Sequence, residues 1–396
     1  MDRPVYMDHH ATTPLDPTAL EAMTPFLTSE FGNPSSRTHR WGWTAEEAVE
    51  QARGQIADVL NCRPDEVLFT GGATESNNMA VKGVARAYLE RGKNRVVATK
   101  VEHHSVLEAC QALEKEGFEV VYLDVDPNGM VNPDEAKRAV NGKTALVSVV
   151  WAHNEYGTIN PIAEIGRIAR EAGALFHTDG VQAFGKYDSD VDALNVDLMS
   201  ISAHKIYGPK GVGALYMRKR RPRIRFVPLV DGGGQERGYR SGTLNVPAIV
   251  GFGKAAQRSH ELRAEEAPRI EAVRNDLRDR IFNQIEYAQL NGHPTERLYG
   301  NLNFSFEFVQ SEAVLLSMRG VALSSGSACT SKSLDASYAL RAMGIEERLA
   351  RSAIRFGLGR GNTMEDSAAV ANMLAEKIEE QRQMSPLYRL NREQES

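Results

Sequence analysis

Cysteine is scarce in this chain: three in 396 residues, at positions 62, 110 and 329, with no Cys-x-x-Cys pair. That excludes a disulfide framework and a four-cysteine zinc site, and it fits a reducing compartment. Long apolar runs are missing as well, since none approaches the ~18 residues of a membrane span. The opening Met1-Asp2-Arg3-Pro4-Val5-Tyr6 has no apolar core of a secretory signal. Nor is there an excess of positive charge. Lys plus Arg number 47 against 52 Asp plus Glu, a formal net charge of −5, which argues against a globally basic nucleic-acid binder. Internal repeats and low-complexity linkers are absent. With 42% apolar and 25% charged residues, the composition is that of a folded protein, long enough for two to three domains at roughly 150 residues each. The expectation is a soluble, cytoplasmic enzyme or binding protein.

What is present is an alternation. Val67-Leu68-Phe69-Thr70, Arg95-Val96-Val97-Ala98, Val120-Val121-Tyr122-Leu123 and residues 146–151, 174–178, 198–202 and 212–217 read as strands. Helical spacing separates several of them, with Met79, Gly83, Val84, Ala87 and Tyr88 on one stretch and residues 105–115 on another. This predicts an α/β fold with a mostly parallel sheet covered by helices on both faces. After about residue 250 the pattern changes. Ile270, Val273, Leu277 and Ile281 predict an amphipathic helix, and residues 303–308 alternate, with Phe304, Phe306 and Phe308 on one face of a half-buried strand. Thr363-x-x-Asp366 resembles a capping box ahead of the stripe Val370, Met373, Leu374 and Ile378. The charged tail 389–396 is expected to fray. This second pattern suggests a smaller α+β domain.

In parallel sheets ligands gather at the carboxyl ends of strands, and several strands here are followed by chemistry. Thr70-Gly71-Gly72-Ala73-Thr74-Glu75 sets glycines before a helix start, which suits a phosphate cradle or a plain cap. Asp179 follows the strand 174–178, where a carboxylate pairs with a protonated ring nitrogen or caps the next helix. Asn154 follows the strand 146–151 and Gln182 comes one short turn after Asp179. Ser202-Ala203-His204-Lys205, then Gly208-Pro209-Lys210-Gly211, places a hydroxyl, an imidazole and an amine directly after a strand. An enclosed lysine sheds its proton and attacks carbonyls, whereas a surface lysine stays charged. Ser325-Gly326-Ser327-Ala328-Cys329 surrounds a lone thiol with small residues that offer it no core, which predicts an accessible nucleophile. Cys62 and Cys110, by contrast, are expected to be buried. Arg218-Lys219-Arg220-Arg221-Pro222-Arg223-Ile224-Arg225 is the dense basic run, read as a solvated loop or as a docking patch for an acidic protein. His9, His10, His103, His104 and His177-x-Asp179 offer a remote metal-dependent hydrolase reading, though none has zincin spacing.

Together these motifs resemble the pyridoxal-phosphate cysteine desulfurases of fold-type I, the class-V aminotransferase-like group, in the subgroup that serves iron–sulfur cluster and nitrogenase assembly. The resemblance runs from Tyr6-Met7-Asp8-His9-His10-Ala11-Thr12-Thr13-Pro14 to Ser385-Pro386-Leu387. It rests on Phe31-Gly32-Asn33-Pro34-Ser35-Ser36, Gly72-Ala73-Thr74-Glu75-Ser76, Ser202-Ala203-His204-Lys205, Arg240-Ser241-Gly242-Thr243 and Ser325-Gly326-Ser327-Ala328-Cys329. It implies a large domain over residues 15–258 with a mostly parallel seven-stranded sheet sandwiched by helices. A small α+β domain over residues 1–14 and 259–396 would carry the cysteine loop, at about 323–335.

The resemblance also implies roles. Lys205 holds pyridoxal 5′-phosphate as a Schiff base, and Asp179 pairs with the pyridinium nitrogen. Ala73, Thr74, Ser202 and His204 hold the phosphate, which Thr243 reaches from the neighbouring subunit of a homodimer. Gln182 contacts the phenolic oxygen with Asn154 beside it. His103 aligns with the ring-stacking acid/base, with His104 one position away as the alternative. Arg355 clamps the substrate carboxylate as a bidentate fork, assisted by Asn33. The implied reaction converts L-cysteine to L-alanine: the Lys205 amine takes the Cα proton, and Cys329 as thiolate takes the sulfur and becomes a persulfide. Sulfur-acceptor proteins such as an iron–sulfur scaffold are the implied partners, with Cys329 as ligand of a transient shared cluster, and tRNA thiolation as a further destination. Neither a membrane nor direct nucleic-acid binding is implied. His9 and His10 stand where relatives commonly show an aromatic and a small residue, a change of packing beside the cofactor. A selenocysteine lyase or another β-lyase is the nearest alternative, since it would use Lys205 without needing Cys329.

Overall fold

A computed structural model of the chain describes residues 4–219, 223–325 and 336–395. Its strands are β1 (Val5–Tyr6), β2 (Val67–Thr70), β3 (Arg95–Thr99), β4 (Glu119–Leu123), β5 (Thr144–Ser148), β6 (Leu175–Asp179), β7 (Leu198–Ser202), β8 (Gly213–Met217), β9 (Ala288–Leu290), β10 (Asn301–Phe306), β11 (Val321–Ala322) and β12 (Ile354–Gly357). Its helices are α1 (Pro17–Leu27), α2 (Arg40–Leu60), α3 (Ala73–Asn78), α4 (Val84–Leu89), α5 (His104–Lys115), α6 (Pro133–Ala139), α7 (Ile162–Glu171), α8 (Val246–Gln284), α9 (Ser311–Ser317), α10 (Tyr338–Ala342), α11 (Glu347–Arg351), α12 (Met364–Met384) and α13 (Pro386–Glu395).

Seven strands form one sheet in the order β2-β8-β7-β6-β5-β3-β4, and only β8 runs against the rest. Alternate side chains divide between two cores. Phe69, Val97, Val147, Phe176 and Ile201 pack with α2, α7 and the first part of α8. Leu68, Val96, Leu146, Leu175 and Leu198 pack with residues 79–88 and α5. A strand that is apolar at every position needs cover on both faces, and helices supply it. The helical stretch read over 79–88 is interrupted: α3 passes through a π turn at Met79–Gly83 before α4.

A second, antiparallel sheet in the order β12-β10-β9 packs on Ile270, Val273, Leu277 and Ile281 of α8 and on Val370, Leu374 and Ile378 of α12. The capping box is present, with Thr363 and Asp366 bonding each other's backbone. Helix α8 therefore serves both cores, and residues 258 and 259 fall inside it. Three expectations need correction. Strand β10 is buried along its whole length, because its polar face is also internal: Asn301 and Asn303 donate to Glu155 O at 3.1 and 3.3 Å, and Asn291 donates to Ser305 Oγ at 2.9 Å. Phe308 lies beyond that strand. The tail does not fray up to Glu395 but forms α13, with Tyr388 against Phe308 at 5.5 Å. Cys110 is buried but Cys62 is half-exposed, just past the left-handed cap of α2 at Asn61. In the basic run, Arg218 is tied to buried Asp197 at 2.6 Å and Lys219 N to Glu66 at 2.7 Å, while Arg220, Arg221 and Pro222 lie outside the described residues. Among the described residues no helix is long and apolar enough to cross a membrane.

Candidate active site

Because β2, β3, β5, β6 and β7 point the same way, their carboxyl ends open on one edge of the sheet. The connections there line an open cleft of about 810 Å³. Strand β2 turns through Gly71 and Gly72 into α3. Gly72 has φ 149°, a backbone that side chains rarely adopt. The first helical bond runs from Ser76 N to Gly72 O, so the amides of residues 73–75 start the helix without one. Glu75 folds back to accept the Gly71 N–H at 2.6 Å and pairs with Arg240 Nε at 2.8 Å, which brings the 240–243 motif beside the cradle.

Asp179 ends β6 and is buried. Its Oδ1 accepts the Val181 N–H at 3.1 Å and its Oδ2 accepts from Asn77 Nδ2 at 2.8 Å. Three residues on, Gln182 Nε2 donates to His10 O at 3.0 Å and its Oε1 meets His10 Nδ1 at 3.1 Å. Strand β7 ends at Ser202 and continues as a single turn, Ala203–Lys205. That turn delivers Lys205, whose Nζ donates to His10 O at 2.5 Å and Ala11 O at 2.8 Å. His204 meets Thr12 Oγ1 at 3.1 Å; burial first, then the charge of Lys205, push its ring down to about 4, so it is neutral near neutral pH.

Beyond β3, Glu102 is buried, with Oε1 accepting from Thr99 Oγ1 at 2.9 Å and from Val150 N at 2.8 Å. Burial lifts its carboxyl to about 8. His103 caps α5 and lines the cleft, and burial lowers its proton affinity. His104 does not line it; its ring packs on Tyr338 at 4.7 Å.

The opposite wall comes from elsewhere. Arg355 of β12 is 2% exposed; Nη2 donates to Asp8 Oδ1 at 2.8 Å and Nη1 to Asn154 O at 3.0 Å, while Nε is buried without a hydrogen-bond partner among the described residues. Ala73, Thr74, Asn154, Asp179, Gln182, Ser202, His204, Lys205, His103 and Arg355 thus line one cleft. Asn33 and Thr243 do not line it within one chain: both are exposed, and Asn33 Oδ1 accepts the Ser35 N–H at 2.9 Å. Cys329 lies outside the described residues, as does most of its loop. The residues on either side are tied to Arg355 of the cleft and to neighbours of His103 and Asn154: Arg355 N donates to Ser324 O at 2.7 Å, Ser337 Oγ to Glu155 at 2.6 Å and Tyr338 OH to Glu102 O at 2.5 Å.

The hydrolase reading finds no support. The His177 ring lies between Ser148 Oγ at 2.8 Å and Ser200 Oγ at 3.0 Å, as a satisfied interior histidine. Among the described residues no group of three His, Cys, Asp or Glu could hold a metal. Asp8, Asn77 and Ser105 were not singled out by sequence reasoning. Asn77 left one signal, an amide within a helix that follows a buried strand; Asp8 left none, since its partner is 347 positions away.

The aminotransferase class-V family model matches residues 5–370. The cysteine desulfurase IscS of Anaeromyxobacter dehalogenans (strain 2CP-C) is 53% identical over 390 residues, covering 98% of this chain and 96% of that protein. A solved NifS-like protein superposes with a TM-score of 0.87 at 37% identity, over 94% of this chain and 98% of its own. The structure of SspA in complex with cysteine matches at TM-score 0.79 and 39% identity, over 89% and 98% of the two chains.

Proposed function

We propose that this chain, which belongs to the aminotransferase class-V family, is a pyridoxal-phosphate-dependent cysteine desulfurase: it takes sulfur from L-cysteine, releases L-alanine and hands the sulfur on for iron–sulfur cluster assembly. The observation that carries this reading is the convergence, in one cleft, of a lysine amine, a buried carboxylate and a helix-start cradle from three different strand ends. A ring that bears an aldehyde, a basic nitrogen and a phosphate finds a partner for each. Lys205 Nζ suits the aldehyde and Asp179 the nitrogen. The amides at Ala73 and Thr74, with Ser202 and His204, suit the phosphate. Gln182 has one N–H committed to His10 O and a second for the ring's phenolic oxygen.

When bound, pyridoxal phosphate supplies the electron sink for charge at Cα. The chain does the rest. Arg355 binds the substrate carboxylate, since hydrogens of its Nη atoms remain after those given to Asp8 and Asn154. Lys205, held by two backbone carbonyls, takes the Cα proton. Cys329, assigned from its sequence motif, attacks the substrate sulfur as thiolate. The new S–S bond forms as the Cβ–S bond breaks, and the carbon fragment keeps the electron pair, takes protons and leaves as alanine. Sulfur then passes from Cys329 to acceptor proteins in the cytoplasm, an iron–sulfur scaffold among them. The working unit is a homodimer: Thr243 and Asn33 lie outside the cleft of one chain, and Phe31, Trp41 and Trp43 near Asn33 are 71, 50 and 55% exposed, an apolar face for a second copy to cover.

Substituting Cys329→Ala tests the reading. Sulfur release from cysteine is expected to vanish while the visible absorption of the bound cofactor stays. Undiminished release would point instead to a lyase that needs no enzyme thiol.

A further inference from the structure

His103 caps α5, and its Nδ1 accepts the backbone N–H of Ser105 at 3.1 Å. A backbone amide can only donate, so Nδ1 carries a lone pair and the hydrogen of the neutral ring sits on Nε2. The Ser105 hydroxyl lies 2.7 Å from the same Nδ1. Asn77 Nδ2 stands 2.8 Å from Ser105 Oγ and 2.8 Å from Asp179 Oδ2. A carboxylate can only accept, which turns the NH₂ end of Asn77 toward Asp179. Its second hydrogen then goes to Ser105 Oγ, and the Ser105 hydrogen is directed onto Nδ1. In this orientation Asn77 Oδ1 is buried without a hydrogen-bond partner among the described residues. Burial first, then the charges of Lys205 and His104, oppose a second proton on the His103 ring, whereas Asp179 favours one.

We infer that Asn77 and Ser105 are positioning residues that fix His103 as a neutral imidazole with its hydrogen on Nε2, so that His103 offers the cleft a hydrogen-bond donor. In this tautomer Nε2 has no lone pair to take a proton. A proton on Nδ1 would meet the Ser105 N–H head on. The inference rests on the desulfurase reading for what Nε2–H faces, but the tautomer can be measured without it.

The test is ¹⁵N NMR of histidine-labelled, pyridoxal-phosphate-loaded protein near neutral pH, with His103 assigned by its loss in His103→Gln. The expected result is an unprotonated, pyridine-like Nδ1 and a protonated Nε2. Asn77→Ala is expected to mix the two tautomers and to lower kcat for alanine formation about tenfold, the scale of one lost hydrogen bond, with KM for cysteine within about twofold. Ser105→Ala is expected to do the same more weakly, and it serves if Asn77→Ala does not fold. A proton on Nδ1 in the wild-type protein, or variants that lose thermal stability while keeping tautomer and kcat, overturns the inference. Alanine formation by the wild-type protein is measured alongside: its absence sinks the desulfurase reading and leaves the tautomer result to be judged alone.

Discussion

The two walls of the cleft are built by different means. Along the sheet edge Asp179, Gln182, Ser202, His204 and Lys205 each lie at, or within three residues of, the end of a strand, so the pleat and one short turn place them. The facing wall is assembled at long range: Asp8 meets Arg355 across 347 positions, Lys205 reaches His10 O across 195 and Gln182 meets His10 across 172. On the proposed reading, the first wall carries the bond-making groups on the frame of the sheet, and the second holds substrate and orients the first. Damage to them should therefore show in different kinetic constants.

The largest effect on the assembled wall should come from Arg355. Arg355→Lys keeps a charge but loses the planar fork, and KM for cysteine should rise about 10- to 100-fold with a smaller change in kcat. A larger fall in kcat than rise in KM would erase the division between the walls. Asp8→Asn should act in the same direction by only a few-fold, because Arg355 keeps its bond to Asn154 O and loses one charged partner. Equal effects of the two substitutions, measured in the same steady-state assay, would mean that Asp8 and not Arg355 governs substrate binding.

The smallest effect concerns stability at the sheet edge. Glu102 is buried with Oε2 unpartnered, and its carboxyl is raised from 4.5 to about 8. A raised acid stabilises the fold fully below its unfolded value and loses that contribution as pH climbs toward 8. Glu102→Gln should therefore raise Tm by roughly 2 °C near pH 8 relative to wild type, with little difference near pH 5. A gain that is larger at acid pH would reverse the sign.

The sequence made the first wall legible and left the second dark, for a physical reason. A strand and its turn are local, so Ser202-Ala203-His204-Lys205 and Asp179 announce themselves within a few residues. The partners of Arg355 and Gln182 are chosen by tertiary packing, which no short window contains. The misreading of β10 has the same origin: Asn301, Asn303 and Ser305 alternate as if toward water, yet their partners Glu155 and Asn291 come from other segments. The family resemblance, rather than local pattern, named Arg355 and His103, both of which line the cleft while His104 does not, but it gave no hint of Asn77 or Ser105.

One other amine sharpens the central claim. Lys186 shares a neighbouring cavity with Lys205, and burial first, then the Lys205 charge, lower it to about 7. Borohydride reduction of the pyridoxal-phosphate-loaded protein, followed by peptide mass mapping, asks directly which amine binds the cofactor. The account predicts a single pyridoxyl adduct on the peptide that contains Lys205; an adduct on Lys186, or none on either lysine, would contradict it.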